Sequence, residues 1–181
     1  MYTVRTTERI ERVFERLKLS WKSVFLGGSL LCLLIFFFPP LYGEGYFAVT
    51  QLLKGNSNYL MQHAFYQNLS TFKLSVVLVA FLIMMLKPVA KALTIGAGGN
   101  GGIFASSLVI GGFAGFIFSY TMNFTGWFSL PTHHFIIAGM AGMLAGVIHA
   151  PLTSIFLIAE ITGGYMLFIP LMLVSAIAYF F

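Results

Sequence analysis

Apolar residues fill most of this 181-residue chain, in runs broken by glycine, proline and a few charges. The first stretch differs from the rest. Ile10, Val13, Phe14, Leu17 and Trp21 recur at helical spacing among Glu8, Arg9, Arg12, Glu15 and Arg16, so residues 3–22 are predicted to form an amphipathic helix at a membrane interface. Val24 to Phe38 is continuously apolar and is stopped by Pro39-Pro40, followed by the turn-forming run Leu41-Tyr42-Gly43-Glu44-Gly45-Tyr46. Residues 47–71 are mixed, with weak helix signals on either side of a polar loop at Lys54-Gly55-Asn56-Ser57-Asn58. Leu74 to Leu86 is the next apolar run. It is closed by Lys87-Pro88, with helix resuming from Val89 to Leu93. Further helices are predicted over 103–120, 135–148, 151–161 and 165–181.

A helix crossing the hydrocarbon core at right angles needs ~20 apolar residues, and most of these runs have fewer. Several also end at Gly or Pro clusters, where lipid cannot satisfy the backbone; such ends must be buried in protein or line an aqueous cavity. Short, interrupted apolar segments point to a binding site built from half-helices. The expected fold is all-α: a polytopic membrane protein of short, tilted and broken helices.

Composition agrees, with 59% hydrophobic and 8% charged residues and a mean hydropathy of +0.91. The net charge of +5 is not a nucleic-acid footprint, because six of the ten basic residues, Arg5, Arg9, Arg12, Arg16, Lys18 and Lys22, flank the first apolar run. A basic flank there places the N-terminus in the cytoplasm. No cleavable signal is expected ahead of it. Cys32 lies in an apolar run and has no second cysteine to pair with.

The richest chemistry lies in Gly96-Ala97-Gly98-Gly99-Asn100-Gly101-Gly102-Ile103-Phe104-Ala105-Ser106. Five glycines in seven residues leave backbone amides bare, and a helix starting at Ile103 would turn its unpaired N–H groups and positive dipole end toward a ligand. That combination is an anion site.

This segment, with Leu108 and Gly111-Gly112 behind it, resembles the G-x-F-x-P signature region of the CLC family of chloride channels and proton-coupled chloride exchangers. A second block, Ile137 to Gly146, then His149-Ala150-Pro151-Leu152-Thr153 and Glu160-Ile161-Thr162-Gly163-Gly164-Tyr165, is similar to the helices that follow in that family. The Pro39-to-Tyr46 loop is also similar; residues 47–71 are least so. The resemblance implies chloride transport through a voltage-gated channel or an antiporter, with chloride as the transported ligand, no cofactor, no metal and no enzymatic activity. Carried over by residue, the anion-facing amides are those of Gly102, Ile103, Phe104 and Ala105, and Gly98, Gly99 and Gly101 shape the loop. Where the family has proline, this chain has Ser106, whose restored N–H still suits a first helical turn.

In domain terms, residues 1–22 are the interfacial helix, and 23–181 resemble the second half of the family's inverted-repeat membrane domain, stopping before its final helix. The implied partners are chloride, the lipid bilayer, the N-terminal half of the same domain, and a second copy bound through 151–181. The implied location is the cell membrane, in a bacterium the inner one.

Other residues have plainer readings. Glu160 is expected to bond backbone amides at the Thr162-Gly163-Gly164 break. His149 is expected to cap helix-end carbonyls through its imidazole. His133-His134 are expected in a loop after Pro131 and form a weak metal motif. His63 is isolated, and Lys73 is expected to snorkel. Gly139, Ala141, Gly142, Ala145 and Gly146 permit close helix approach. From a different class, an intramembrane serine protease would pair Ser106 or Ser107 with His149.

Overall fold

Glycine and proline set the helix ends, as the pattern predicts. A computed structural model describes residues 21–57, 59–62, 73–126, 129–163 and 165–180. Its helices are α1 (Trp21–Phe37), α2 (Tyr46–Leu53), α3 (Tyr59–Gln62), α4 (Lys73–Gly96), α5 (Ile103–Thr125), α6 (Thr132–Ile148), α7 (Pro151–Thr162) and α8 (Phe168–Phe180), with 3-10 turns at Pro39–Leu41 and Tyr165–Leu167. Among the described residues there is no strand. The amphipathic helix predicted for 3–22 falls outside the described residues except for Trp21 and Lys22, and so do His63 and the side chain of Lys73.

Among the described residues two helices are long and apolar enough to cross a membrane, Leu74–Gly96 and Ile103–Thr125. The first overturns the break expected at Lys87-Pro88, for α4 runs through Pro88 to Gly96. Proline there removes one backbone bond and crowds the preceding turn, at about 3 kcal/mol. Breaking the helix would instead strand several backbone groups in apolar surroundings, each costing several kcal/mol. Continuity is the cheaper solution.

The core is built around α6, which is apolar on every side and packs against α5, α7 and α8. Its most extensive contact is with α5. There the two backbones nearly touch: a Cβ at Gly115 would fall 2.0 Å from the Phe135 carbonyl oxygen, and one at Gly139 would fall 2.3 Å from that of Gly111. On the face toward α8, Gly142 and Gly146 admit Val174 and Ala178. The small residues of the sequence pattern therefore serve helix packing. Phe113, Ile136, Ile137, Met140 and Leu144 fill the space between, fully buried. Asn123 closes the α5–α6 connection, its Nδ2 donating to the Leu130 carbonyl at 2.9 Å and its Oδ1 accepting from the Leu130 N–H at 2.6 Å.

His133 and His134 lie in the first turn of α6 and not in a loop; His133 Nδ1 is 3.2 Å from the Leu53 carbonyl oxygen. Among the described residues no group of three or more His, Cys, Asp or Glu side chains is placed to hold a metal. Cys32 is exposed on α1.

Candidate functional site

The glycine loop is a helix end folded back on itself. After Gly96, the N–H groups of Ala97, Gly98 and Gly99 donate to the carbonyls of Leu93, Ile95 and Thr94 at 2.9, 2.9 and 2.8 Å. These bonds meet carbonyls that the end of α4 would otherwise leave open. Gly98 takes φ +88°, and at Gly99 a Cβ would sit 2.9 Å from the Thr94 carbonyl oxygen, so both positions require glycine. Gly101 lies against Ile95, where a Cβ would come within 3.1 Å of its side chain. The chain has then reversed and enters α5.

Gly102 is the N-cap of α5, extended at φ −72° and ψ 139°, and it provides no capping side chain. The first amides of α5, those of Ile103, Phe104 and Ala105, therefore have no acceptor within their own helix and stand at its positive end. A Cβ on Gly102 would meet nothing within 4 Å, so the approach to these amides is open. Ser106 sits one turn in, within α5, its hydroxyl donating to the Gly102 carbonyl at 3.3 Å.

A cavity of about 340 Å³ adjoins this helix start. Its walls come from α1 through Leu31 and Ile35, from the turn Leu41-Tyr42-Gly43-Glu44, from α4 through Lys87, Ala90, Lys91 and Thr94, and from Asn100, Gly101, Gly102, Ala105 and Ser106. Of the residues expected at the anion site, Gly101, Gly102 and Ala105 line it. Gly98 and Gly99 do not, nor do Ile103 and Phe104, whose side chains are 54% and 48% exposed elsewhere. The residue missed by sequence reasoning is Lys87, 3% exposed, with its ammonium donating to the carbonyls of Leu41 at 3.1 Å and Gly43 at 2.8 Å. The available signal was an ionisable residue at the edge of an apolar run, with further apolar residues beyond Pro88.

One reading is corrected. His149 does end α6, but its backbone makes the cap: at φ +56° its N–H donates to the Ala145 carbonyl at 2.9 Å, while its ring meets Tyr179 edge-on. Glu160 accepts a hydrogen bond from the Tyr165 hydroxyl; Gly164, one of the residues whose amides it was expected to meet, lies outside the described residues. No Ser–His pair forms among the described residues. The Ser106 and Ser107 hydroxyls donate back to the carbonyls of Gly102 and Ile103, and His149 lies against Tyr179.

The sequence matches the family described as voltage gated chloride channel over residues 1–181. Among curated relatives, it is 32% identical over 170 residues to the voltage-gated ClC-type chloride channel ClcB of Citrobacter koseri, covering 91% of this chain and 36% of that protein. It is 30% identical over 154 residues to the H(+)/Cl(-) exchange transporter ClcA of Vibrio vulnificus strain YJ016, covering 82% of this chain and 28% of that protein. The chain thus spans about a third of the length of the relatives it matches. No solved structure gives a significant match. With an all-α architecture, two helices of spanning length and a family match along its whole length, the chain belongs to the voltage-gated chloride channel family, CLC.

Proposed function

We propose that this chain forms the second half of a chloride-transporting membrane domain, residues 23–181, in which the start of α5 donates backbone amides to the ion. The observation that carries this reading is the uncapped N-terminus at Gly102-Ile103, delivered by a glycine loop to the edge of a cavity. Chloride is held by the N–H groups of Gly102, Ile103, Phe104 and Ala105 and by the helix dipole. Partial charges bind an anion loosely enough to release it, as conduction requires. The remaining walls of the pathway come from the N-terminal half of the same domain, and two copies associate through 151–181. Relatives named as a chloride channel and as an exchange transporter support chloride as the ligand and the cell membrane as the location.

The test is chloride efflux from vesicles carrying the protein encoded by the whole gene, with Gly102→Trp as the variant. The backbone at Gly102 suits any residue and a Cβ there meets nothing within 4 Å, so the substitution is compatible with the helix start while the indole covers the amides. Efflux falls at least tenfold on this reading; unchanged efflux from a folded variant refutes it.

A further inference from the structure

Lys87 lies within the apolar stretch Leu74–Gly96 and is 3% exposed. An ammonium buried in such a helix is unfavourable unless its donors are met. Two of its three N–H groups are met, by the carbonyls of Leu41 and Gly43 at 3.1 and 2.8 Å.

The turn that presents these carbonyls is shaped around the ammonium. Gly43 and Gly45 adopt φ +60° and +80°, the left-handed region that favours glycine. A Cβ at Gly45 would lie 3.0 Å from Nζ and 3.3 Å from Cε of Lys87. The Gly-Glu-Gly sequence thus bends the turn toward Lys87 and leaves room for it. Lys87, the turn, Gly102 and Ala105 all line the same cavity. Carbonyl bonds hold the ammonium in the wall of a cavity that the start of α5, whose partial charge has the same sign, also lines.

We propose that Lys87 is an affinity-determining residue of the anion cavity: anchored to the carbonyls of Leu41 and Gly43, it raises the positive potential at the start of α5. This inference rests on the proposed anion site. Lys91 lines the cavity too, and Glu44 opposes both charges from the exposed side, where water screens it more strongly than it screens a buried group. A unit charge in the wall of a partly desolvated cavity changes the affinity for an anion in that cavity on the order of tenfold.

Chloride titration calorimetry on the whole protein in detergent, paired with thermal unfolding, tests it through three variants. Lys87→Gln keeps donors for the two carbonyls but loses the charge, and should weaken chloride binding at least tenfold. Lys87→Arg keeps the charge and should stay within about threefold. Glu44→Gln leaves Lys87 intact, removes the opposing charge and should tighten binding, which keeps the idea testable if Lys87→Gln does not fold. Parental affinity in a folded Lys87→Gln, or unchanged or weaker binding in Glu44→Gln, overturns the role of Lys87 alone. A parent protein that binds no chloride overturns the anion site itself.

Discussion

Gly115→Ala offers the sharpest test of how α5 and α6 are held. The added methyl would lie 2.0 Å from the carbonyl oxygen of Phe135, 2.7 Å from its carbonyl carbon and 3.0 Å from Cα of Ile136. All three are backbone atoms, so no rotamer change relieves the overlap. The helices must move apart by about 1 Å to restore van der Waals contact, opening a dense interface around Phe113 and Met140. Overpacking of a rigid core costs about 1–3 kcal/mol, and a purely backbone clash belongs at the upper end. For a chain of this size that corresponds to a fall in Tm of about 6–12 °C. Gly28→Ala is the matched control: Gly28 lies within α1, and its Cβ would meet nothing within 4 Å. There the same methyl improves helix propensity by up to about 1 kcal/mol, so Tm should hold or rise. Differential scanning fluorimetry of both purified variants in one detergent decides the matter. If Gly115→Ala melts no lower than Gly28→Ala, the close approach of the two backbones is not what holds this pair together.

Two further substitutions probe the connections. His149 is the one non-glycine residue with positive φ among those described, and relieving a left-handed residue is worth about 1 kcal/mol, so His149→Gly should raise Tm by about 2–4 °C less what the Tyr179 ring contact contributed. His149→Val, whose branched side chain fits that region badly, should lower Tm, and the order of the two in thermal melts is the check. Asn123→Ala removes both bonds to Leu130 and should cost about 1–2 kcal/mol; protease sensitivity of the 126–131 connection should increase, and equal sensitivity in parent and variant would contradict the clasp.

Local sequence alone dictates which stretches become helices, where most of them stop and which helix start is left uncapped. Those features depend on backbone chemistry over a few residues: Pro39-Pro40 ends α1, Gly126 and Gly163 end α5 and α7 in left-handed caps, and glycines at 98, 99, 101 and 102 allow the reversal that bares the amides of Ile103 and Phe104. The two family blocks were legible for the same reason, since glycine, proline and small residues at fixed spacing encode local geometry. Tertiary structure decided whatever depends on a distant partner. Pro88 reads locally as a stop, but the apolar surroundings of α4 make an unpaired backbone costlier than a proline within a helix. Lys87 reads as the edge of a run, and its role emerges only when the fold brings it to carbonyls 46 and 44 residues away. His149 and Glu160 lie at helix ends, as their local sequence implies, yet their side chains touch Tyr179 and Tyr165. Helix ends follow from short-range sterics and hydrogen bonding, whereas a buried charge finds its partners through the packing of the whole chain.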